Sequence, residues 1–74
     1  MKINEYQKLA MTTLNKDLSK KDVLINAVMG LCGESGEAID IVKKYLHQGH
    51  ELDEDKLIKE LGDIAWYLAE ACEA

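Results

Sequence analysis

The 74-residue chain has no proline, no phenylalanine and no arginine; all nine of its cations are lysines. Without proline, nothing in the sequence breaks a long helix. Cys32 and Cys72 are the only cysteines, too few for a disulfide framework and not spaced as a zinc site, so they read as reduced thiols. No apolar run reaches the roughly 18 residues that a membrane span needs. No basic start followed by an apolar block marks a signal peptide, and the expectation is a cytoplasmic protein. Positive charge is scarce too: nine lysines face fourteen acids, a net charge of −5. The shortage is local. Residues 1–33 hold five lysines and three acids, whereas residues 34–74 hold four lysines and eleven acids. An acidic face does not displace the counterions of nucleic acid. It suits a cation site or a solvated surface.

Apolar residues are plentiful, at 47%, which excludes disorder. A chain this short still buries only about 60% of the surface its unfolded form exposes. Self-association, as a homodimer or homotetramer, is the expected remedy.

Apolar residues recur at three- and four-residue spacing, and no clear period-2 stretch occurs, so the expected fold is all-α. A first helix is predicted near residues 4–15, with Asn4 and Gln7 as a capping box. A second, near 19–47, has Ser19 as N-cap and Gly49 as stop. A third, near 54–73, is capped by Asp53, with Glu54 and Asp55 against its positive end. The second and third helices are expected to form an antiparallel hairpin. Gly30, Gly33 and Gly36 lie inside the second helix, each costing about 1 kcal/mol relative to alanine. Close helix–helix approach is the expected reason for all three.

The acids of the second half are patterned. At roughly 100° per residue, Glu34 shares an angular sector with Val23, Ala27, Ile41 and Tyr45, inside the apolar stripe. Glu37 lies one turn on, at the stripe's edge. Glu60 and Asp63 share a face of the third helix. Both pairs have i, i+3 spacing and so present two carboxylates to one side. The first pair lies about 17 Å from the end of its helix and the second about 11 Å from the start of its own. A hairpin therefore brings the pairs to nearly the same level. Either pair alone is an ordinary solvated feature. Together, four such carboxylates repel unless a cation neutralises them, and an all-oxygen set suits Mg²⁺ or Mn²⁺.

The segment Gly33-Glu34-Ser35-Gly36-Glu37-Ala38, followed by Lys59-Glu60-Leu61-Gly62-Asp63-Ile64-Ala65-Trp66-Tyr67-Leu68-Ala69, resembles the MazG-like nucleotide pyrophosphohydrolases of the all-α nucleoside triphosphate pyrophosphatase superfamily. Their signature is Glu-x-x-Glu, a variable spacer, then Glu-x-x-Asp. The resemblance implies a four-helix-bundle-like fold completed by oligomerisation. It also implies Mg²⁺ held by Glu34, Glu37, Glu60 and Asp63. The implied reaction is hydrolysis of a nucleoside triphosphate to the monophosphate and pyrophosphate. Members usually continue into a further helix, whereas this sequence ends at Ala74. The expectation is one domain over residues 1–74 lacking that helix.

Glu34 is the candidate to orient or deprotonate the attacking water, because its place in the apolar stripe makes its protonation tunable. Lys43, Lys44 and Lys59 are candidate phosphate contacts, set against the plainer reading of solvated lysines. Asp40 is spaced to pair with Lys44. Trp66 and Tyr67 are read as dimer-interface anchors ahead of base-stacking groups. His47 and His50 form no Glu-x-x-His unit, which speaks against a di-iron carboxylate protein. The alternative to the enzyme is a non-enzymatic helical interaction or regulatory module whose acids are surface charge.

Overall fold

The computed structural model describes all of residues 1–74. Three α-helices follow one another: α1 (Ile3–Ala10), α2 (Lys20–His47) and α3 (Glu54–Glu73), with a 3-10 turn at Met11–Thr13 and no strand. Helices α2 and α3 pack against each other as the predicted hairpin, and α1 lies on α3.

The hairpin's helices start where the sequence places them. The Ser19 hydroxyl accepts from Asp22 N–H at 3.1 Å. The Asp53 carboxylate does the same for Lys56 N–H at 3.1 Å. Both satisfy donors of a first turn that has no carbonyl partners. Gly49 ends α2 by taking φ +69°, which a side chain would resist. His50 N–H then turns back to the Lys44 carbonyl at 3.3 Å.

Helix α1 departs from expectation. It begins after Lys2, which makes no side-chain cap bond, so Asn4 is helical and caps nothing. The amide of Gln7 has a better use. It donates to the Ala69 carbonyl at 2.8 Å and to Glu73 Oε1 at 3.0 Å, clipping α1 to α3. Trp66 adds a second clip, its Nε1–H reaching Ala10 O at 3.1 Å and Thr13 Oγ1 at 2.9 Å. Tyr67 meets the Trp66 ring edge-on, with centroids 5.4 Å apart. Within the chain, Trp66 ties α3 to the end of α1 and the Tyr67 ring packs over Gly30, while both stay half-buried.

The core is a single seam. Val23, Ala27, Ala38 and Ile41 of α2, Ala69 of α3 and Met11 of the turn are its buried apolar residues. Leu24 and Val28 on α2, with Ile58, Leu61 and Leu68 on α3, remain about half or more exposed. The molecule measures 44 × 27 × 14 Å, one helix thick along its shortest axis. No second layer covers the outer apolar faces.

Candidate metal centre

Hairpin packing carries Glu34 and Glu37 of α2 to Glu60 of α3. Each offers a carboxylate oxygen, and these three oxygens lie within 4.8 Å of one another. Glu34 is half-buried, Glu37 is exposed and Glu60 is buried at 3% exposure. Buried carboxylates ordinarily have hydrogen-bond donors for partners. Glu60 Oε2 is buried with no hydrogen-bond partner at all. The residues present thus fit a hard cation. The donors are all oxygen, they converge, and one of them, when ionised, is a buried acceptor to which no donor of the protein bonds.

Asp63, the fourth expected ligand, stands outside the trio. Its Oδ2 accepts from Lys59 Nζ at 3.2 Å, and Lys59 lies 4.0 Å from Glu60 Oε1. Crowding shows in the proton affinities. The Glu60 carboxyl is held above its ordinary range, first by a hydrogen bond to Glu34 that only the protonated form makes, then by burial and by the Glu34 charge. Lys59 and Glu37 pull the other way. The Lys59 ammonium is itself raised, chiefly by its hydrogen bond to Asp63 and then by the charges of Asp63 and Glu60. The fold thus disturbs the titration of Glu60, the acid whose side chain is buried. Glu60 is more deeply buried than Glu34.

The other predicted cations are dispersed. Lys44 pairs with Asp40 at 3.1 Å, the i, i+4 partner expected of it. Lys43 is exposed and makes no ion pair. Beside the acids runs a cleft of about 450 Å³ lined by Gly33, Gly36, Glu37, Asp40, Ile41 and Lys56. Its glycines do not serve helix contact. A Cβ added to Gly33 or Gly36 would meet nothing within 4 Å. Only Gly30 answers to close approach, since a Cβ there would collide with the Tyr67 ring. The single explanation expected for three glycines holds for one of them.

Two features are not anticipated by the sequence analysis. Lys56 in the cleft carries no spacing signal. Glu70 does carry one, since it lies two turns beyond Asp63 on the same face. It is fully buried, and Asn26 Nδ2 donates to both of its carboxylate oxygens, at 2.9 and 3.1 Å.

No helix is long and apolar enough to cross a membrane. Comparisons with curated proteins and with solved structures find no match. The family described as the MazG nucleotide pyrophosphohydrolase domain matches residues 22–74, a span that holds the whole acidic cluster, all of α3 and all but the first two residues of α2. With the all-α hairpin and its converging glutamates, that match establishes the chain as a member of the MazG nucleotide pyrophosphohydrolase domain family.

Proposed function

We propose that the chain hydrolyses a nucleoside triphosphate to the nucleoside monophosphate and pyrophosphate, with Mg²⁺ as cofactor and Mn²⁺ as a substitute. Family membership supports the reaction class. The observation that carries the metal is the buried, unpartnered Glu60 Oε2 beside Glu34 and Glu37. Glu34, Glu37 and Glu60 would hold the cation, and Asp63 would join them by giving up its contact with Lys59. A bound divalent cation supplies neutralisation of phosphate oxygens and of the charge that develops on them during transfer.

The chain's own side chains do the remainder. Glu34 orients a water toward the α-phosphorus and accepts its proton. The new P–O bond forms as the bond to the β-phosphate oxygen breaks, and pyrophosphate leaves. Lys59, one residue before Glu60, is placed to follow a phosphate once Asp63 is released.

We further propose that residues 1–74 act as one helical domain that a second copy completes as a homodimer or homotetramer. A one-helix-thick slab with exposed Leu24, Val28, Ile58, Leu61 and Leu68 supports this. Light scattering across micromolar concentrations is expected to give at least twice the monomer mass. A well-folded monomer throughout would remove the proposal.

The same apolar faces favour a second reading, a helical interaction module without activity. One assay separates the two. The protein is incubated with a panel of nucleoside triphosphates and Mg²⁺, and pyrophosphate is measured against phosphate. Pyrophosphate release that chelator abolishes is the expected result. No release from any of the substrates would favour the module.

A further inference from the structure

The lysines around the acidic cluster are not equivalent. Lys44 is engaged by Asp40, and Lys59 by Asp63. Lys56 also faces acids, since Glu37 and Asp40 line the same cleft, yet it makes no ion pair. Only its backbone N–H is committed, to the Asp53 cap. A second, smaller hollow of about 210 Å³ adjoins the first. It is lined by Ile41, Lys44, His50, Glu51, Asp53 and Lys56. Ile41 and Lys56 belong to both, so Lys56 stands where the two meet. Gly33 and Gly36 line the larger cleft with bare backbone, and a Cβ at either would meet nothing within 4 Å, so a ligand can approach closely.

We propose that Lys56 binds the pyrophosphate portion of the substrate, gripping the β- and γ-phosphates while the α-phosphorus sits at the carboxylates. This rests on the nucleotide-hydrolysing reading above and adds the direction in which the substrate lies. The chemistry sets the choice of moiety. An ammonium without a carboxylate partner is compensated by the most highly charged part of the ligand, and the nucleoside is neutral. The Lys44 and His50 side of the smaller hollow extends the same path away from Glu37. The nucleoside then projects the opposite way from the carboxylates.

The test is product inhibition, because the two products report the two ends of the substrate separately. In Lys56→Met, inorganic pyrophosphate should inhibit about tenfold more weakly than in the parent, the loss expected for a charge-assisted contact at an exposed site. The KM for triphosphate should rise by a similar factor. Inhibition by the nucleoside monophosphate should stay within about twofold of the parent. Lys56→Arg, which keeps the charge, should recover most of the pyrophosphate affinity. Melting temperature checks folding, and the Met variant preserves the backbone cap bond. Unchanged pyrophosphate inhibition in Lys56→Met would overturn the assignment, as would equal weakening of both products. A parent protein that hydrolyses no triphosphate would instead overturn the reading beneath it and take Lys56 with it.

Discussion

Two buried glutamates on α3, ten residues apart, are treated in opposite ways. Glu70 is fully buried, and Asn26 satisfies both of its oxygens. Glu60 is nearly as buried, has Glu34 and Glu37 for neighbours and leaves one oxygen unpartnered. Burial of a charge is costly unless it is paired, so Asn26 stabilises the Glu70 carboxylate, whereas the fold favours the protonated form of Glu60. The glycines of α2 divide along the same line. Gly30 is filled by Tyr67 at the Glu70 end, while Gly33 and Gly36 stay open at the Glu60 end. One end of the hairpin is filled by its own side chains, and the other is left open.

Substitutions at the two ends should break this contrast differently. The largest effect belongs to the open end. Glu34→Gln, or alanine at Glu37, Glu60 or Asp63, should lower pyrophosphate release by on the order of a hundredfold or more. Of these, Glu34→Gln and Glu37→Ala should melt in chelator at or above the parent's temperature, because each removes a like charge beside Glu60. Full activity in Glu34→Gln, or a parent melting curve indifferent to millimolar Mg²⁺, would refute the shared site.

Asn26→Ala at the closed end should behave in reverse. It strands the Glu70 carboxylate and should destabilise the protein by about 2–3 kcal/mol, measured by urea unfolding, with or without metal. A loss below about 0.5 kcal/mol would show that Glu70 does not depend on Asn26.

The glycines give a smaller contrast, opposite in sign. Gly30→Ala should destabilise by about 1–2 kcal/mol, overpacking against Tyr67 outweighing the gain in helix propensity. Gly33→Ala should stabilise by up to about 1 kcal/mol, since its Cβ meets nothing. Tyr67→Ala should cancel most of the Gly30→Ala penalty in a double-mutant cycle.

The mildest test is pH. The Glu60 carboxyl is raised above its ordinary value of 4.5, so the folded chain holds a proton that the unfolded chain releases. That contribution is full below about pH 4.5 and is lost as pH rises through the raised value. In chelator, the parent should therefore lose stability relative to Glu60→Gln across that rise. Parallel pH profiles for the two proteins would show that Glu60 is not strained.

Much of the hairpin and its acidic pairs is legible in the order of residues. Ser19, Asp53 and Gly49 mark the ends of the hairpin by local chemistry alone, because a cap bond or a positive φ needs only a few neighbouring residues. Periodicity likewise places Glu34 in the apolar stripe and pairs Glu60 with Asp63, since helical geometry turns spacing into facing. Helix α1 is less legible. Its start is unassisted by any side-chain cap, and Gln7 and Trp66 bond to groups roughly sixty residues away in sequence.

By itself the sequence determined the all-α class, the hairpin and the Glu-x-x-Glu and Glu-x-x-Asp pairs, because these follow from the 3.6-residue repeat and local capping. Only the tertiary structure decided that Glu60 carries the unpartnered oxygen, that Asp63 is held by Lys59, that Glu70 is answered by Asn26 and that Lys56 stands in the cleft. Each depends on the depth and rotation at which α2 meets α3, and that geometry is set by side-chain packing along the whole seam.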